Sequence, residues 1–149
     1  MDDATFDSTI PLLDPSITEL HLHNNELTQI KEDAFQNLRL LTDLNIGMND
    51  IATVSPLAFR GTIIRSLSLA SNQLTSFPDL SSIASTIMVI DLYRNQISQL
   101  PSDAFANMAA LNSIDIPDNF LTSCPDFSSL PATNTLKNLN LNNNEISTI

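Results

Sequence analysis

One string recurs along the whole chain: apolar-x-x-apolar-x-apolar-x-x-Asn-x-apolar. It reads ITELHLHNNEL from Ile17, LTDLNIGMNDI from Leu41, IRSLSLASNQL from Ile64, IMVIDLYRNQI from Ile87, LNSIDIPDNFL from Leu111 and LKNLNLNNNEI from Leu136. The spacing between copies is about two dozen residues, the length of one supersecondary unit that buries its apolar face only against its neighbours. In each copy the alternating stretch is a short strand, so Leu20 and Leu22, or Ile90 and Leu92, point inward while the residues between them face solvent. Stacking the copies makes a parallel sheet.

The asparagine that follows each strand, at Asn25, Asn49, Asn72, Asn95, Asn119 and Asn144, stands where the chain leaves the sheet. A side-chain amide has donors and an acceptor to bridge the backbones of adjacent turns, which predicts a structural ladder. Three places beyond the next apolar residue, an inward position recurs as Ile30, Val54, Phe77, Leu100, Cys124 and Ile149. That register puts Cys124 in the core as an inert thiol, since TSCPDFSSL at 122–130 parallels TSFPDLSSI at 75–83. The connecting segments are of two kinds. Ala34-Phe35, Ala58-Phe59 and Ala104-Phe105 predict short helical turns with a stacked phenylalanine spine. FPDLSSIAST and CPDFSSLPATNT suit tight turns or extended backbone.

The pattern resembles the leucine-rich repeat family over nearly the whole chain. The resemblance implies an α/β solenoid: a right-handed coil with a parallel β-sheet on its concave face and short helical or irregular convex segments. Residues 1–149 read as one domain, with 1–16 a partial N-terminal repeat, repeats starting at 17, 41, 64, 87 and 111, and 136–149 an incomplete last repeat. Both ends read as uncapped, with Ile149 a core residue. The Ala-Phe segments and repeat length are similar to extracellular animal members of the Toll-like receptor and Slit type, without their cysteine-rich caps. That likeness implies a segment of a longer secreted or cell-surface protein, with a cytoplasmic one as the alternative. It also implies a non-catalytic scaffold that binds a protein on its concave face.

Composition narrows the functions. Seventeen acidic residues against six basic ones give a formal charge of −11, which repels nucleic-acid phosphates and acidic lipid. No apolar run approaches the ~20 residues of a membrane span, so neither nucleic acid nor membrane insertion is expected. Only two glycines are present, and no glycine-rich phosphate loop. With one cysteine there is neither an internal disulfide nor a thiolate zinc site. No asparagine is followed two places on by serine or threonine, so the glycosylation acceptor pattern is missing. No cofactor is expected.

Candidate binding residues are the outward ones on the strands. Hot spots favour Tyr and Arg among apolar neighbours, and the fourth turn combines Tyr93 and Arg94 with Met88 and Val89. Met48 occupies the place of Arg94 two turns earlier. Asp91 and Asp115 fall in one column of adjacent strands, ~5 Å apart, with Asp118 nearby. Such a pair suits a basic side chain from a partner or a calcium ion, with Arg94 as the nearer neutraliser. Glu19, His21 and His23 alternate along one strand, the residue types of an open zinc site, although i and i+2 side chains are nearly ~7 Å apart. Two further readings are an adhesive element that self-associates through its ends and a metal-dependent hydrolase at His21 and His23.

Overall fold

A computed structural model describes residues 1–134 and 136–147. The six copies form one parallel sheet from β1 (Glu19–His21), β3 (Asp43–Asn45), β5 (Ser66–Ser68), β6 (Val89–Asp91), β7 (Ser113–Asp115) and β8 (Asn138–Asn140), side by side in chain order. Corresponding residues pair without slippage, as in Leu44 with Leu67 and Leu67 with Ile90. A one-residue slip would turn every inward leucine to solvent, which is why the repeat specifies register strongly. Two shorter strands, β2 (Gln29–Ile30) and β4 (Thr53–Val54), pair on another side of the first turns. The molecule is a parallel β-solenoid with the long sheet on its concave face.

The core is continuous from Phe6 to Leu121, and Leu44, Leu67, Ile90 and Ile114 lie buried at the centre of the interior strands. The ladder asparagines tie the turns together. Oδ1 of Asn49, Asn72, Asn95, Asn119 and Asn144 accepts from the backbone N–H of Leu27, Ile51, Leu74, Ile97 and Leu121 in the preceding turn, at 2.9–3.0 Å. Each Nδ2 donates to a carbonyl of the preceding turn and to one of its own, as Asn72 does to Ile46 and Leu69. Buried backbone groups outside the strands thereby find partners.

Just before each ladder asparagine the backbone turns left-handed, with positive φ at Asn24, Met48, Ser71, Arg94, Asp118 and Asn143. No glycine occupies any of these positions. Hydrogen bonds to the following turn hold the conformation: Met48 N–H donates to the Ala70 carbonyl and Arg94 N–H to that of Pro117. For Met48 and Arg94 it costs about 1–2 kcal/mol relative to a right-handed backbone.

The connecting segments differ from the sequence expectation. The Ala-Phe segments are successive turns, closed by bonds such as Gln36 N–H to Asp33 O and Leu38 N–H to Phe35 O, whereas Ser81–Ile83 in the serine-rich segment forms a 3-10 turn. Six of the seven phenylalanines stack in two groups, and Phe120 is exposed. Phe35 lies between Phe6 and Phe59, and Phe105 between Phe77 and Phe127.

Cys124 is exposed, not buried as its register suggests. Pro125 takes the buried place in that stretch, and Phe127 stacks on Phe105. The same column is buried at Ile30 and Phe77 but only half-buried at Val54 and Leu100, so register sets direction without guaranteeing coverage, and its next member, Ile149, is outside the described residues. At the other end α1 (Asp3–Thr9), capped by the Asp2 side chain, sets Phe6 and Ile10 into the core. The repeat register does not foreshadow that helix.

Candidate functional site

The three-residue strands expose two side chains each, and pairing register aligns them into columns. One column runs Glu19, Asp43, Ser66, Val89, Ser113, Asn138, and the next runs His21, Asn45, Ser68, Asp91, Asp115, Asn140. A third lies just beyond the strands, where Tyr93 and Pro117 flank the groove. Small side chains in the middle of the face leave an open trough of about 610 Å³ lined by Ser66, Ser68, Val89, Asp91, Tyr93, Asp115, Pro117 and Asn140. Sequence reasoning singled out Val89, Asp91, Tyr93 and Asp115 but passed over the two serines and Pro117. Their signal was small size, which creates space instead of contact.

Within the second column, the side-chain oxygen repeatedly accepts from the backbone N–H two residues on. Asn45 takes Gly47, Asp91 takes Tyr93 and Asn140 takes Asn142, at 3.0–3.2 Å. Asp91 also accepts from the Ser68 hydroxyl at 2.8 Å. Asp115 departs from the pattern because the residue two places on is Pro117, which has no N–H to donate. Its remaining contact is the Ser113 hydroxyl at 3.2 Å. Glycine at 47 is also required by packing, since a Cβ there would come within 2.9 Å of the Ala70 carbonyl oxygen.

Arg94 does not neutralise the Asp91–Asp115 pair. Its Nε lies 3.9 Å from Asp118, its guanidinium carbon sits 5.4 Å from the Tyr93 ring centre, and its side chain is two-thirds exposed. The left-handed turn directs Arg94, Asp118 and Met48 along the rim of the face. Met48 and Met88 are exposed large apolar residues on it. Tyr93, Arg94, Met88, Val89, Asp91, Asp115 and Asp118 therefore occupy two adjoining turns, while Met48 stands apart on the second. His21 and His23 sit near the other end of the sheet with rings 6.2 Å apart, edge to face. Among the described residues no three His, Cys, Asp or Glu side chains converge to hold a metal ion. No helix among them is long and apolar enough to cross a membrane.

A second concavity, about 370 Å³, lies on the convex side between Phe77, Leu80, Pro101, Ala104 and Met108, with Asp79 and Asp103 in its lining. It lies between the turns that carry Phe77 and Phe105, two neighbours within the second phenylalanine group, and the core side chains behind it are already packed.

The family model "Leucine rich repeat" matches residues 15–74 and 63–121. Asporin of Bos taurus is 31% identical over 101 residues, covering 66% of this chain and 27% of asporin. Toll-like receptor 3 of Homo sapiens is 35% identical over 107 residues, covering 67% of this chain and 12% of the receptor. Among solved structures, a TLR13–ssRNA13 complex superposes with a TM-score of 0.78 at 29% identity, over 95% of this chain and 20% of the receptor chain. The chain spans less than a third of the length of the curated relatives it matches.

Proposed function

The chain belongs to the leucine-rich repeat family, and from that premise we propose that it is a non-catalytic scaffold binding a protein partner on its concave face, at the turns carrying Tyr93 and Arg94. The observation that carries this reading is the trough itself. An aromatic ring and an exposed guanidinium stand beside a groove walled by Val89 and Pro117, the composition found at energetic centres of interfaces. Met88, Asp91, Asp115 and Asp118 complete the contact surface, with Met48 as an outlying contact. Family members are typically scaffolds without catalytic chemistry.

The TLR13 of the solved complex holds an ssRNA. Here the formal charge of −11 and the carboxylates lining the trough oppose a phosphate backbone, which favours protein over nucleic acid. Similarity to Toll-like receptors supports a location outside the cell or at its surface.

The test is titration of a partner, captured with the intact chain and then purified, against Tyr93→Ala and Arg94→Gly. Tyr93→Ala is expected to weaken binding at least about tenfold with an unchanged melt. Arg94→Gly is expected to weaken binding while raising stability by about 0.5–1 kcal/mol, because glycine accepts the left-handed backbone without strain. Undiminished binding by both variants would place the contact elsewhere.

A second reading, self-association through the ends, is favoured by the last turn, where Leu139 is 42% exposed and Leu136, Leu141 and Ile146 are half-buried. Sedimentation across a wide concentration range decides it, since a monomer throughout removes the reading.

A further inference from the structure

We infer that the partner segment seated in the concave trough presents a basic side chain, Arg or Lys, to Asp91 and Asp115. This rests on the concave reading and adds the chemistry of its occupant. Charge complementarity carries it. The two carboxylates are register partners on neighbouring strands, ~5 Å apart, and both line the open groove. Like charges at that separation disfavour each other unless a cation joins them.

Among the described residues, none that lines the trough is cationic. Among the described residues the chain's ion pairs are Lys31–Asp7, Arg60–Asp33 and Arg94–Asp118, the first two on other faces and the third on the rim. Arg65 and Lys137 lie in the column before the strands, aligned with Met88 and Asn112 through the backbone bonds Met88 N–H to Arg65 O, Asn112 N–H to Met88 O and Lys137 N–H to Asn112 O. The field across the sheet is thus negative in the groove, with cations only at the edge.

Geometry agrees with charge. Ser66 and Ser68 leave room above β5 for a long side chain to lie along the floor, and the Val89 and Tyr93 side chains offer surface to its methylenes. Pro117 removes the N–H that the second column otherwise provides, so Asp115 has acceptor capacity left for a guanidinium or ammonium. A divalent cation is the poorer occupant, because no third acidic or histidine side chain converges there among the described residues.

The experiment uses the whole chain, labelled with 15N, and a blocked peptide Gly-Arg-Gly-Arg-Gly as probe, with its citrulline counterpart as the neutral isostere. Amide shifts are expected in residues 66–68, 89–91 and 113–115, with the citrulline peptide at least about tenfold weaker. D91N/D115N is expected to lower the arginine peptide's affinity about tenfold or more, and D79N/D103N, which removes equal charge from the convex cleft, less than about twofold. Asn45 and Asn140 already occupy the same column, so the concave double variant keeps the turn bonds it needs. Equal losses in the two doubles would reduce the effect to net charge and overturn the inference. Calcium that displaces the peptide at submillimolar concentration would make the occupant a metal ion and overturn it too. Equal binding of the citrulline peptide with shifts still in β5–β7 would remove the basic requirement and leave the concave reading intact. Shifts confined to the convex segments would count against both.

Discussion

The first and last turns of the solenoid carry the same apolar pattern and differ in what lies over them. In the first, Leu22, Leu27 and Ile30 are at most 7% exposed, while Ile17 and, at the strand centre, Leu20 are half-buried. In the last, Leu139 is 42% exposed and Leu141 and Ile146 are half-buried. The difference is the segment 1–13. Its helix places Phe6 edge-on to Phe35 at 5.6 Å and buries Ile10 beside it. A repeat therefore sets which side chains point inward, while a neighbouring element decides whether they leave water.

The largest effect should come from breaking that cover. Phe6→Ala removes a 2% exposed ring from between the helix and the first turn, and should cost about 3–5 kcal/mol in urea unfolding. Leu139→Ala, in the opposite turn, removes a side chain still in contact with water and should cost under about 1.5 kcal/mol. Comparable losses would mean that the exposed end is as well packed as the covered one.

The ladder sharpens the comparison between interior and end. Asn72 is buried and bridges two turns, so Asn72→Ala leaves the Ile51 N–H and the carbonyls of Ile46 and Leu69 short of partners, at a cost of about 2–3 kcal/mol. Asn144 makes the equivalent bonds in a half-exposed setting where water can replace it, so Asn144→Ala should cost under about 1 kcal/mol. Equal midpoints for the two variants would show that the ladder is insensitive to burial.

These contrasts mark what the chain made legible. The strand register followed from the alternation of residues such as Leu44 and Ile90, and the trough residues Val89, Asp91, Tyr93 and Asp115 followed from register. Cys124 was misplaced because pattern encodes direction and not coverage. The left-handed residues escaped notice because Met48, Ser71 and Arg94 share no chemistry, their backbone being held by bonds to the neighbouring turn. Pro117 was visible as a residue but not as a missing donor beneath Asp115, since that role exists only once Asn45, Asp91 and Asn140 are seen to repeat one bond.

Acid provides the gentlest probe of the two ends. The Asp2 carboxyl is held below its ordinary value by the Thr5 N–H that it caps. Burial pushes Asp3 upward, but bonds from the Thr28 hydroxyl and backbone outweigh it and the net shift is also downward. Carboxyls depressed in the folded state stabilise it above their unfolded value, near 3.8 here, and that contribution fades as pH falls through the lower folded value. Both groups fasten the N-terminal helix, to itself through Thr5 and to the first turn through Thr28. Asp126, also depressed, only closes a turn onto Ser128 within its own loop. Between pH 5 and pH 2, amide protection relative to the intrinsic exchange rate should therefore fall around Phe6 and Ile30 before it does in the interior strands, and Asp3→Asn should remove the Asp3 share of that pH dependence. Protection lost first around Leu139, with the helix still protected, would show that the Asp2 and Asp3 carboxylates do not control how the cover is held.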